Sequence, residues 1–210
     1  MDAAAELFFE HGYAATSIDA IIARAGGSKR NIYTEFGGKA GLFTAIVSQN
    51  ADAAVATLAV DEAAGRTLRD LLSALGRRLV EIYTSPPVVG VYRLVVAEAH
   101  RDRALAEAFY EKGPGRTCAA LAQVLQRAAD RGEIRTVDPA RQAEHFVGLM
   151  RDNLHLQVVL GLRPPPTSAE IHRIVDSAVG LFLEGLSPRQ DRELEHRHLH
   201  APTQGPGQER

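Results

Sequence analysis

Apolar residues recur at helical spacing along most of the chain, and no convincing strand pattern accompanies them. Ala4, Leu7 and Phe8 share one face of a first helix over about 2–11, which Gly12 ends. Ile18, Ile21, Ile22 and Ala25 fall at i, i+3, i+4 and i+7, the stripe of a short second helix. Gly26-Gly27 breaks it, and Ser28 can cap a third helix by accepting a backbone N–H bond. In that third helix Ile32 and Phe36 face inward, while Lys29/Tyr33 and Arg30/Thr34 form pairs four apart on the outer face. Two short helices joined by a glycine-containing turn predict a helix-turn-helix, whose second helix enters the DNA major groove. The outward residues suit that role: Lys and Arg donate to guanine O6 and N7, Thr contacts a base edge or a thymine methyl, and Tyr hydroxyls bond phosphate.

The pattern stays helical further on. A fourth helix begins at Gly38-Lys39, carries Leu42, Phe43, Ile46 and Val47, and continues to about 59. Leu68, Leu71, Leu72, Leu75, Leu79, Ile82 and Tyr83 mark a fifth, stopped by Ser85-Pro86-Pro87. A sixth (about 88–100) and a seventh (about 102–112) meet near His100-Arg101, and a Gly113-Pro114-Gly115 turn precedes an eighth that buries Leu121, Val124, Leu125 and Ala128. Asp138-Pro139 starts a ninth, drawn without a break to Gly161 through Phe146, Leu149, Met150, Leu154 and Val158. Pro164-Pro165-Pro166 forces a loop, Thr167 with Glu170 makes a capping box, and a tenth helix follows, closed by Gly185. From 187 the chain is polar and is expected to be disordered. The predicted fold is all-α: a small three-helix domain at 1–47, a larger helical domain at 48–186, and a tail at 187–210.

Residues 1–47 carry a combination of short motifs: Ala4-Ala5-Glu6-Leu7-Phe8, Gly12-Tyr13, Thr16-Ser17-Ile18, Ala25-Gly26, Ser28-Lys29, Ile32-Tyr33, Phe36 and Lys39-Ala40-Gly41-Leu42-Phe43. In this order the set resembles the TetR (tetracycline-repressor-like) family of bacterial transcriptional regulators. The stretch Arg93–Ala99 and Phe109-Tyr110 resemble one of the larger subgroups of that family. The resemblance implies that Lys29, Arg30 and Thr34 approach bases, and that Ser17, Asn31, Tyr33 and Lys39 hold phosphates. Gly37-Gly38 would let the amide-bearing start of the fourth helix approach a phosphate closely. Glu35 departs from the pattern, because a carboxylate beside the groove repels phosphate unless it accepts from cytosine N4.

The resemblance further implies a homodimer through the helices near 139–161 and 168–185, a palindromic operator, and a small-molecule effector that releases the DNA. Tyr92, Arg93, His100, Phe109, Met150 and Asn153 are the candidate effector contacts; each polar member could instead be a satisfied core residue or an intersubunit contact.

Composition adds constraints. Of 210 residues, 45% are hydrophobic, enough for a substantial core, and 24% are charged. No apolar run approaches a membrane span, no secretory signal is visible, and a reduced cytoplasm is the expected location. The single Cys118 excludes an intrachain disulfide and reads as a packing residue. Over residues 1–47, four basic groups (Arg24, Lys29, Arg30, Lys39) face five acidic ones (Asp2, Glu6, Glu10, Asp19, Glu35). That balance is not the basic one of a DNA-binding module. It favours the competing reading, a helical ligand-binding or enzymatic protein with a silent helix-turn-helix, and it suggests a basic arm upstream of Met1. No cofactor, catalytic triad or phosphate loop is read. Glu193 and His196 form a single Glu-x-x-His, and His196, His198 and His200 read as solvated tail rather than metal site.

Overall fold

Side-chain caps set where the second and third helices start. The computed structural model describes residues 1–63, 65–135 and 138–187, and every regular element among them is helical. Helix α1 (Asp2–His11) ends at Gly12, whose φ of 81° places it in the region that favours glycine. The Ser17 hydroxyl accepts from the Ala20 N–H and opens α2 (Ile18–Ala25); that of Ser28 accepts from the Asn31 N–H and opens α3 (Lys29–Phe36). Gly37, at φ 73°, terminates α3, and α4 (Lys39–Ala63) follows after a single further residue. It is longer than the expected end near 59.

The first core cluster joins Ala4, Leu7, Phe8 and Ile21 to Leu42, Phe43, Ile46 and Val47 of α4. It also takes in Val91, Leu94 and Val95 of α6 (Pro86–Glu98) and Leu105 of α7 (Arg103–Lys112). Phe8, Tyr13 and Phe43 pack as an aromatic trio, with ring centroids 5.4, 5.6 and 6.1 Å apart. Burial pushes the Tyr13 phenol above its ordinary range, with a smaller contribution from Asp102.

A second cluster is built on α5 (Leu68–Thr84), which a Thr67/Asp70 capping box begins. Leu72, Leu75 and Leu79 of α5 meet Leu121 and Leu125 of α8 (Pro114–Asp130), Phe146 of α9 (Pro139–Leu149), and Val175 and Val179 of α11 (Ser168–Leu186). The crossing of α5 with α11 is close: a Cβ on Gly76 would lie 2.8 Å from Val175 and 3.0 Å from the Met150 sulfur. Cys118 packs half-buried against this cluster, and burial pushes its thiol up, followed by the Glu144 charge. The capping box at Thr167 and Glu170 opens α11. There the Thr167 N–H, seconded by Arg163, holds the Glu170 carboxyl at about 2.

Three sequence expectations change. The stop after the fifth helix falls at Ser85, but α6 starts at Pro86 rather than near 88, with Pro86 and Pro87 in its first turn, because proline's missing N–H is an unbonded group at a helix start anyway. Pro114 begins α8 in the same way. The ninth helix is not continuous to Gly161. It stops at Leu149, and the Asp152 carboxylate accepts from the Leu154 and His155 N–H groups at 2.9 and 3.3 Å to start α10 (Asn153–Val159). An acidic cap inside an apolar stripe thus divides it into two helices. Apart from Ser187, the polar tail with its histidines lies outside the described residues.

No single helix among the described residues is long and apolar enough to cross a membrane. The pair α5–α6 meets that test jointly, but it bends by 68° and most of its apolar residues are in the core.

Candidate nucleic-acid interface and effector cavity

The outer face of α3 is open. Lys29, Arg30, Asn31, Tyr33, Thr34 and Glu35 are all exposed, while Ile32 and Phe36 turn inward onto the first cluster. Ser17 and Ser28 spend their hydroxyls on helix caps but remain exposed at the starts of α2 and α3. Ion pairs already engage much of the small basic complement. Arg24 reaches Glu10 at 2.8 Å and Lys29 reaches Asp19 at 2.8 Å. The Asp19 partner raises the Lys29 pKa through a hydrogen bond and its charge. Both pairs are exposed, a setting in which such contacts contribute little, so DNA phosphates can compete for them. Among the described residues, the Arg30 side chain has neither ion pair nor hydrogen bond and stands free on the exposed outer face of α3.

Lys39 is arranged differently from the phosphate-holding role expected of it. Its ammonium donates to the carbonyls of Tyr13 (2.7 Å), Thr16 (3.0 Å) and Ala14 (3.4 Å), and lies 4.4 Å from the centre of the Tyr13 ring. It closes the loop between α1 and α2 from the far end of the motif. Thr16 completes this closure with its hydroxyl, whose one proton is shared between the Gly12 carbonyl at 2.7 Å and the Leu7 carbonyl at 3.0 Å. Gly38 likewise lies buried beneath the exposed Tyr33 ring: a Cβ there would meet that ring at 3.3 Å. The glycine therefore seats Tyr33 on the start of α4.

A cavity of about 320 Å³ lies beside this unit, near the lower end of the roughly 300–1,000 Å³ usual for ligand sites. Its walls come from both clusters: Ala5 and Glu6 of α1, Ile46, Val47 and Asn50 of α4, Leu79, Ile82 and Tyr83 of α5, Val88, Val91 and Tyr92 of α6, Phe109 of α7, Thr117 of α8, and Arg151 and His155 around the start of α10. Tyr83, Tyr92 and His155 stack edge to face, with His155 5.5 Å from Tyr92 and 6.0 Å from Tyr83. Burial, followed by the charge of Arg151, lowers the His155 pKa, so the imidazole is neutral near pH 7.

Of the six effector contacts expected from sequence, Tyr92 and Phe109 line this cavity, their rings 6.3 Å apart. The other four do not. Met150 is buried in the second cluster. Arg93 reaches across to the Val158 and Val159 carbonyls and caps the end of α10. His100 is exposed in the turn after α6, and Asn153 is exposed at the first position of α10. The seven-residue step from Phe146 to Asn153 assumed an unbroken helix, and the break at Asp152 removes that assumption. The same break brings in Arg151 and His155, which sequence reasoning missed. The Arg151-Asp152 charge pair interrupting an apolar stripe was the available signal.

Comparison with known proteins agrees with this geometry. Residues 1–46 match the family described as bacterial regulatory proteins, tetR family, and residues 70–185 match the AefR-like transcriptional repressor C-terminal domain. An uncharacterized HTH-type transcriptional regulator of Mycobacterium tuberculosis is 29% identical over 174 residues, covering 82% of this chain and 80% of that protein. The flavonoid-responsive regulator FrrA is 32% identical, with a TM-score of 0.66, over 90% of this chain and 95% of its own. A TetR-family regulator from Mesorhizobium loti is 29% identical, with a TM-score of 0.73, over 89% and 94% of the two chains. FadR from Bacillus subtilis, solved with stearoyl-CoA, shares the fold at 17% identity (TM-score 0.71, 88% and 96% of the two chains). With an exposed recognition helix at one end and both portions matched, the chain belongs to the TetR family of DNA-binding transcriptional regulators.

Proposed function

We propose that this regulator is a cytoplasmic repressor and not an enzyme, holding a palindromic operator as a homodimer until a small molecule fills the cavity. The observation that carries the proposal is that one cavity is walled by α1 and α4 of the DNA-reading unit and by α5–α8 and α10 behind it. An occupant therefore touches the DNA-reading unit itself. It releases DNA if it prefers a spacing of the two recognition helices that no longer matches the operator.

Residues 1–47 form the DNA-reading unit, and residues 48–186 hold effector and partner. Lys29, Arg30 and Thr34 read bases; Ser17, Asn31 and Tyr33 hold phosphates; Lys39 keeps the motif closed. The partner surface lies along α9–α10 and α11, corresponding to the stretches 139–161 and 168–185. Support for it comes from Leu181, Leu156 and Leu160, which are 64%, 52% and 61% exposed, and from Gly148 and Gly180, where an added Cβ would meet open space. An apolar face of that kind, bordered by small residues, suits close packing against a second copy. FrrA is named as flavonoid-responsive, which supports a small organic effector, and the Tyr83, Tyr92 and Phe109 rings suit an apolar body.

Two variants test the DNA contacts. Arg30→Ala should reduce discrimination between the selected operator and a mismatched duplex by about tenfold or more, since one bidentate base contact is worth about 1–3 kcal/mol. Tyr33→Ala should weaken both duplexes equally. Fluorescence anisotropy on the two duplexes checks this, and unchanged affinity and discrimination in both variants would sink the assignment.

A further inference from the structure

Among the described residues, two buried side-chain polar atoms find no hydrogen-bond partner in the protein: the Tyr83 hydroxyl and Nε of Arg151. They are neighbours, and both residues line the same cavity. The Arg151 guanidinium lies 4.4 Å from the centre of the Tyr83 ring and 5.8 Å from that of Tyr92. Among the described residues its side chain makes no ion pair; it rests on the Tyr83 and Tyr92 faces, and its charge acts on the Tyr83 phenol. Arg151 itself is half-buried, but these two atoms are buried, and buried polar atoms are ordinarily paired.

From this geometry, and resting on the cavity being the effector site, we infer that it binds a small carboxylate with an apolar body. The carboxylate meets the Arg151 fork and the Tyr83 hydroxyl, and the body lies among Tyr92, Phe109 and Val91. A guanidinium presents paired N–H donors that match a carboxylate, which an uncharged acceptor fills less well.

The other charges of the lining are consistent with this assignment. Arg78 faces Glu81 at 3.5 Å, and Glu6, one of the two lining carboxylates, faces Arg24 at 3.9 Å; both lining carboxylates, Asp2 and Glu6, belong to α1. Burial pushes the Tyr83 phenol up, against the opposing Arg151 charge, so the hydroxyl keeps its proton and donates. His155 is neutral and adds no competing charge.

The test is calorimetry on the full-length protein without DNA, using 4-butylbenzoate and its uncharged isostere 4-butylbenzamide as probes. The parent should bind the benzoate at least about tenfold more tightly, as expected for hydrogen bonds to a charged group. Arg151→Gln should bring the ratio near one while still binding the benzamide. Tyr83→Phe, which keeps the ring under Arg151, should weaken the benzoate several-fold; it carries the test if Arg151→Gln does not fold. Equal affinities in the parent, a preference that survives Arg151→Gln, or binding of neither probe below about 1 mM would overturn the inference. Release of operator DNA by the benzoate is read separately. Charge-selective binding without release contradicts the effector mechanism and leaves the anion site standing.

Discussion

Gly41→Ala should weaken specific DNA binding severely while leaving the second core cluster folded. Gly41 lies in the first turn of α4, and a Cβ there would fall on the carbonyl oxygen of Phe36, the last residue of the recognition helix. The obstacle is backbone, so no rotamer change relieves it. Relief requires α3 to move away from α4, and α4 is anchored by Leu42, Phe43, Ile46 and Val47 in the first core cluster. Overpacking of this kind costs about 3 kcal/mol, a large part of what a small unit has to spare. The measurement pairs operator affinity with thermal unfolding. A loss of affinity of about a hundredfold, with the α5–α11 core retained, is expected. A variant that bound its operator like the parent would show that α3 and α4 are not in the contact described.

Lys39→Met is expected to have the second largest effect, and it separates two roles for one lysine. As a closing group, Lys39 satisfies the Tyr13 and Thr16 carbonyls and stacks on Tyr13; its removal leaves them unpaired and should destabilise the small unit by about 3 kcal/mol. As a phosphate contact it would leave the free protein's stability unchanged and reduce the salt slope of DNA binding by about one. The structure predicts lower thermal stability and weaker binding, with the salt slope of the remaining binding intact. Unchanged stability with a shallower slope would return Lys39 to the phosphate role.

These two residues mark where the sequence stops being legible. The caps at Ser17 and Ser28, the stripes of α1 to α3 and the glycine breaks are local signals, and they locate the DNA-reading unit residue by residue. Lys39 binds carbonyls 23 to 26 positions earlier in the chain, so no spacing rule exposes the contact, and a lysine at a helix start reads as a surface charge. The cavity shows the same boundary. Tyr92 and Phe109 follow from apolar helix faces, whereas Arg151 and His155 depend on a helix break that a single aspartate makes. Asp152 and Asn153 would equally suit the solvent side of a continuous helix, and only packing decides between the two.

The proposed reading of DNA is by a two-fold pair of α3 helices on a symmetric operator. Its most direct test is selection of bound duplexes from a random DNA library at about 0.15 M salt, a near-physiological screening condition. The account predicts enrichment of a palindrome whose half-site centres are separated by about one helical turn or a multiple of it. Failure to enrich any symmetric sequence would contradict it.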